Sequence, residues 1–167
     1  GTVSGIYTGE PLRGVRFHLC DIKVHEDSSH RGTAQITPTL KRAMYACQIA
    51  SEPRLMEPTF LCEITVPSSG AASGVYSTLH QRRAQIVNQE NSSSSVMKIT
   101  AHLPVVESFG FTDLLRKNTS GEAFAQMTFS HWAVVEGDLN DPQSRGGKFV
   151  AEIRARKGMS PNLPVLS

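Results

Sequence analysis

Met97-Lys98-Ile99-Thr100-Ala101-His102-Leu103-Pro104 is the stretch on which the fold turns. Met97, Ile99, Ala101 and Leu103 alternate with Lys98, Thr100 and His102, the two-residue period of a strand with one buried and one wet face, and Pro104 closes it. Upstream, the polar run Asn91–Ser95 predicts a turn, and Ile86-Val87 predicts a short strand before it. Further back, Phe60, Cys62, Ile64 and Val66 alternate as a strand ended by Pro67. Ala72, Val75, Tyr76 and Leu79 then recur at helical spacing. Downstream, Phe111, Leu114 and Leu115 predict a second helix, Gly121 punctuates, and Ala123 to Phe129 predicts a last strand.

The resulting order is strand, helix, strand, strand, helix, strand over about 75 residues, the split β-α-β pattern of a ferredoxin-like sandwich in the α+β class. Such a unit places an antiparallel sheet under two helices. Phe109-Gly110-Phe111 is similar to the aromatic signature of an RNA-recognition motif, whose strands follow the same order. That signature belongs on a central strand, however, and here it opens a helix at Thr112-Asp113-Leu114-Leu115, so Phe111 is expected in the core. Ser108 with Glu107 and Asp113 has no histidine at a telling spacing, which leaves a hydrolase triad without support.

Outside this unit, Val15, Phe17 and Leu19 alternate, and Cys20, Ile22 and Val24 alternate in the opposite phase, predicting a strand with a bulge near Cys20. Asp27-Ser28-Ser29-His30-Arg31-Gly32-Thr33-Ala34-Gln35 follows. These small polar residues give His30 and Arg31 little to pack against, so an exposed tip with a contact role is expected. Leu40, Ala43, Met44, Cys47 and Ala50 then predict a helix from about Pro38 to Ser51, capped by Thr37. Lys41 and Arg42 would fall in its first turn, against the helix dipole, which suggests an outside anion. Glu52-Pro53 stops the helix and Glu57-Pro58 lies just beyond, so a domain boundary is placed near Glu57. A connector rich in Gly, Asp, Asn and Pro from Gly137 to Gly147 leads to a basic helix, Lys148 to Lys157, with Gly158 as its cap.

With 167 residues the chain can bury a real core. Hydrophobic residues at 39% and charged residues at 19% suit a globular domain rather than a disordered one. No apolar run is long enough to span a bilayer. The sequence begins Gly1-Thr2-Val3 without the pattern of a signal peptide and is read as an internal start. Cys20, Cys47 and Cys62 show no Cys-x-x-Cys spacing and read as reduced, buried thiols of a cytoplasmic protein, with no metal site. His18, His25 and His30 lie close in sequence, but strand alternation puts His18 and His25 on opposite faces, with no carboxylate or cysteine at ligand spacing. The net charge of +2 hides an asymmetry: no Asp or Glu occurs between Asp27 and Glu52, and Arg145, Lys148, Arg154, Arg156 and Lys157 cluster near the C-terminus. Unbalanced basic stretches suggest a nucleic-acid partner.

The motifs themselves resemble a known family. They are His30-Arg31-Gly32, Gln35, Pro38-Thr39, Arg42, Glu52-Pro53-Arg54-Leu55-Met56-Glu57-Pro58 and Leu103-Pro104-Val105. With them go Glu107-Ser108-Phe109-Gly110-Phe111, Gln126, His131-Trp132, Gly137-Asp138 and Arg156-Lys157-Gly158. From Arg13 to Pro164 the chain resembles the C-terminal part of eukaryotic and archaeal translation elongation factor 2, related to bacterial elongation factor G. The resemblance implies a partial fourth domain over residues 1–56, with tip loop 26–36 and a ribosomal-S5-like α/β fold. It implies a ferredoxin-like fifth domain inserted over residues 57–132, and a return to the fourth domain over 133–167.

The resemblance further implies that the parent promotes GTP-dependent translocation of tRNA and mRNA, with the tip near the decoding centre. Its partners would be the ribosome, rRNA, tRNA and mRNA, and also diphthamide-synthesis enzymes and ADP-ribosylating toxins. No Gly-x-x-x-x-Gly-Lys-Ser/Thr loop occurs, so GTP and magnesium belong to a GTPase domain outside this chain, which carries no cofactor and no catalytic residue of its own. His30 matches the histidine that carries diphthamide, and Arg31, Gly32, Gln35, Lys41 and Arg42 are the expected RNA-contact residues. The family usually has three consecutive glycines after the arginine, whereas this chain has Gly32-Thr33-Ala34. Thr33 and Ala34 visit positive φ less cheaply than glycine, so a stiffer or differently shaped tip is expected. The alternatives are a paralogue in ribosome assembly or splicing, and a free-standing RNA-binding module.

Overall fold

The computed structural model describes residues 4–67, 70–93 and 95–165. The elements in chain order are α1 (Thr33–Ala50), β1 (Met56–Pro67), α2 (Ala72–Gln81), β2 (Gln85–Ser93), β3 (Val96–Pro104), the short α3 (Val105–Ser108), α4 (Phe111–Asn118), β4 (Phe124–Val134) and α5 (Arg145–Arg156). The chain divides into two compact units, Gly1–Leu55 with Val135–Ser167, and Met56–Val134.

In the second unit the strands lie in the order β2-β3-β1-β4, every neighbouring pair antiparallel. This is the ferredoxin-like arrangement that the strand and helix periods predicted. Alternation sends Cys62, Ile64, Val66, Ile99, Ala101 and Leu103 to one face, where Val75 and Leu79 of α2 and Phe111 and Leu115 of α4 close a fully buried core. Burial pushes the Cys62 thiol up to about 12, which makes it inert. The opposite face is wet and carries the Lys98–Glu63 ion pair at 2.7 Å and an edge-to-face contact between His102 and His131, ring centroids 4.8 Å apart.

The strands run longer than their alternation predicted. β1 takes in Glu57-Pro58, with Pro58 opposite Trp132, and its register shifts between Thr59 and Phe60. That irregularity breaks the period by which the strand was read. Pairing with β3 starts only at Thr59, so the missing Pro58 N–H removes no bond on that side. β2 continues through Asn91 to Ser93, residues expected in the turn, while Ser94 lies outside the described residues. Arg83, at positive φ after α2, donates from Nη1 and Nη2 to the two oxygens of Glu57, each at 3.0 Å, and from Nε to Glu107 at 2.8 Å. One guanidinium thus ties the start of β1 to the end of α2 and to α3.

The first unit gathers Tyr7, Leu139 and Val150 with Ile6, Ile49, Leu55 and Leu163 into a small apolar cluster. α5 is capped by Ser144, whose Oγ accepts from the Gly147 N–H at 2.9 Å. It ends on Gly158 at φ 65°, with Gly158 N–H donating to the Ala155 carbonyl and Met159 N–H to the Arg154 carbonyl, a Schellman motif. Two of the five cations counted near this helix are engaged within the unit, one of them buried. Arg154 is 6% exposed and donates to the carbonyls of Tyr7, Ser160 and Asn162, and Lys157 pairs with Glu10 at 2.7 Å. Arg145, Lys148 and Arg156 remain exposed.

Three expectations for this unit are corrected. Val15 to Val24 forms no strand: among the described residues none pairs with this stretch, and Val15, Leu19, Ile22 and Val24 are exposed. Alternation marks faces, but a strand also needs a partner for its backbone groups. Helix α1 starts at Thr33, not Pro38, because Gly32 takes an extended N-cap conformation and its carbonyl accepts from Gln35 and Ile36 N–H. Pro38 therefore sits inside the helix, and Lys41 and Arg42 fall in its third turn, too far from the N-terminus to oppose the dipole. Finally, Cys20 and Cys47 are exposed free thiols, and the packed side of α1 runs through Met44, Tyr45, Gln48 and Ile49 instead of through Cys47. Among the described residues no helix is long and apolar enough to cross a membrane.

Candidate nucleic-acid interface

The tip is a self-closed loop. Asp27 Oδ1 accepts from Ser29 N–H at 2.9 Å, an Asx turn that starts a single 3₁₀ turn, Ser28–His30. Asp27 N–H donates to His25 Nδ1 at 3.0 Å, which fixes His25 as an acceptor at that nitrogen. The Ser29 backbone and hydroxyl, with a smaller part from His30, hold the Asp27 carboxyl below its usual range. All of these side chains are exposed.

His30 is exposed at the outer end of the loop, as the run of small residues implied. Its Nδ1 lies 3.0 Å from Ser29 Oγ and 3.4 Å from Asp27 Oδ2, and its ring centroid is 4.6 Å from that of His25. The sequence reading missed His25 because it assigned the residue to a strand face; with no strand there, the chain is free to fold back. Among the described residues no group of three or more His, Cys, Asp or Glu side chains is arranged to hold a metal ion.

The remaining predicted contact residues are spread along the loop and helix. Gly32 is the N-cap of α1, and a Cβ there would meet Gln35 Oε1 at 2.8 Å, so Gln35 curls back over the cap. Thr33 and Ala34 are the first two helical residues, a conformation in which neither needs positive φ. Lys41 and Arg42 are exposed on α1, in a stretch without acidic residues. Arg31 differs from both. Its guanidinium is turned onto the backbone, donating from Nε to the His25 carbonyl at 2.6 Å and from Nη2 to the Glu26 carbonyl.

Residues 54–143, more than half of the chain, match the family model for the elongation factor G C-terminus. The chain belongs to this family. Residues 1–52 match the model for elongation factor G, domain IV, so the tip and α1 lie in the domain IV segment and the four-stranded sheet lies within the C-terminus match. The fold is shared with a solved structure. That structure, from Thermus thermophilus, has a TM-score of 0.54 at 24% identity, covering 65% of this chain and 15% of that one. This elongation factor G C-terminal chain therefore spans a small fraction of that protein's length.

Proposed function

We propose that this chain is the ribosome-binding C-terminal part of an elongation-factor-2-type translocase, and that its work is positional. The observation that carries this reading is the exposed, self-closed tip at Asp27 to Arg31, set on a helix that bears Lys41 and Arg42, within a segment matching domain IV. In this reading His30 meets the codon and anticodon region, and Lys41 and Arg42 meet phosphates electrostatically. GTP and magnesium would be handled by a GTPase domain elsewhere in the parent. Arg145, Lys148 and Arg156 add exposed positive charge on α5.

Cosedimentation of the full chain with purified ribosomes across a salt series tests the contact residues. The double substitution Lys41→Ala, Arg42→Ala should weaken binding and reduce the slope of log K against log salt by about 1.4 to 1.8, the loss of about two phosphate contacts. An unchanged slope would remove both residues from the interface.

His30 is the candidate diphthamide site. Intact mass of the protein from its own cells should exceed the sequence mass by that modification, whereas the chain made in a bacterial host should carry unmodified His30. The second reading, a paralogue acting in ribosome assembly or splicing, rests on Gly32-Thr33-Ala34 standing where the family usually has three glycines, and retention of His30-Arg31-Gly32 argues against it. An unmodified mass from the native source together with intact ribosome binding would select that reading.

A further inference from the structure

Arg31 stands apart from the other cations of the tip. The hydrogen bonds from Asp27 N–H to His25 and from Ser29 N–H to Asp27 each span two residues, and those from His30 and Arg31 N–H to the carbonyls of Asp27 and Ser28 each span three. They shape the turn locally. The Arg31 guanidinium, by contrast, reaches back six residues to the His25 carbonyl and five to the Glu26 carbonyl, across the mouth of the loop. The contact between the His25 and His30 rings spans the same gap. Without the guanidinium, His25 is held to His30 by that ring contact and through Asp27, whose N–H bonds His25 and whose carboxylate lies 3.4 Å from His30, all of it exposed and local and therefore a weak tether.

We propose that Arg31 is a positioning residue. It clamps the mouth of the loop, holds His25 against His30, and so sets the direction in which His30 faces RNA, instead of binding phosphate itself. The planar guanidinium suits this task because its N–H groups diverge in a fixed fork that meets two adjacent carbonyls at once. An ammonium is a point donor and does not reproduce that geometry. The clamp is a property of the chain alone; only its consequence for RNA rests on the ribosome-binding reading.

Arg31→Lys separates charge from shape, and Arg31→Ala removes both. In NMR spectra of the free full-length chain, both variants should shift the imidazole signals of His25 and His30 and abolish the cross-relaxation between the two rings, with signals of the second unit unmoved. In ribosome cosedimentation both should lose affinity several-fold while the slope of log K against log salt stays that of the unsubstituted chain. Unchanged imidazole signals in both variants would overturn the clamp. So would normal binding by Arg31→Lys combined with a slope reduced by about 0.7 to 0.9 in Arg31→Ala, which is the signature of one phosphate contact. If the unsubstituted chain does not bind ribosomes, the proposed function fails, and the NMR measurement still decides the clamp.

Discussion

Phe111→Ala should destabilise the second unit by about 4 kcal/mol, within the range for deleting a fully buried aromatic ring. Phe111 is 0% exposed and lies in the one core cluster that the sheet shares with α2 and α4. Two residues earlier, Phe109 is 74% exposed, because Gly110 between them adopts φ 71° and reverses the chain. Phe109→Ala is therefore the internal control and should change stability by less than about 0.5 kcal/mol. Urea unfolding followed by circular dichroism would measure both. Equal effects of the two substitutions would show that the ring of Phe111 is not the one the core depends on.

Gly74→Ala should cost about 3 kcal/mol, at the upper end for forced overpacking. In an ordinary helix interior the same change would stabilise by about 1 kcal/mol, so the sign is diagnostic. A Cβ at Gly74 would lie 2.0 Å from the carbonyl oxygen of Asn118 and 2.7 Å from its carbon, and backbone atoms cannot swing aside as a side chain does. α4 would have to move off α2. That displacement would also break the 2.9 Å bond from Nδ2 of the exposed Asn118 to Oγ1 of the buried Thr78. A thermal midpoint at or above that of the unsubstituted chain would contradict the close approach of the two helices.

What the sequence disclosed follows from which signals were local. Period-two alternation in Phe60 to Val66 and Met97 to Leu103, with proline and glycine between elements, was enough for the second unit and its α+β class, since both faces of each strand were marked in its own residues. Strand ends were not marked, because pairing carries Glu57-Pro58 and Asn91 to Ser93 into the sheet against their local preference. Val15 to Val24 shows the converse: a strand-like pattern with no pairing partner among the described residues. At α1 the proline at position 38 was mistaken for the start because Pro is favoured at the first helical position, while the extended Gly32 that does start the helix leaves no such mark.

The candidate site divides the same way. Exposure of His30 was legible from the small residues around it, and the Asp27-x-Ser29 turn was legible in principle from the habit of Asp to accept the N–H two residues on. The direction of Arg31 was not, since composition gives a charge but not its address. Nor was the closeness of His25 to His30, which depends on the fold-back that Arg31 spans.

Helix α1 ties these observations together. From Thr33 to Ala43 only Ile36 is even partly buried, and packing begins at Met44. At about 1.5 Å per residue, the tip stands roughly 17 Å beyond the first side chain with tertiary support. A helix segment so short holds together poorly in water by itself, and Pro38 interrupts its ladder. The outer turns thus have little tertiary contact to hold them, and in the proposed function a surface that grips His30 would give up part of its binding free energy to wind them. Affinity for the target and helicity of α1 become one linked quantity: a stronger helix former at an exposed position such as Thr37 would tighten binding without touching the target at all.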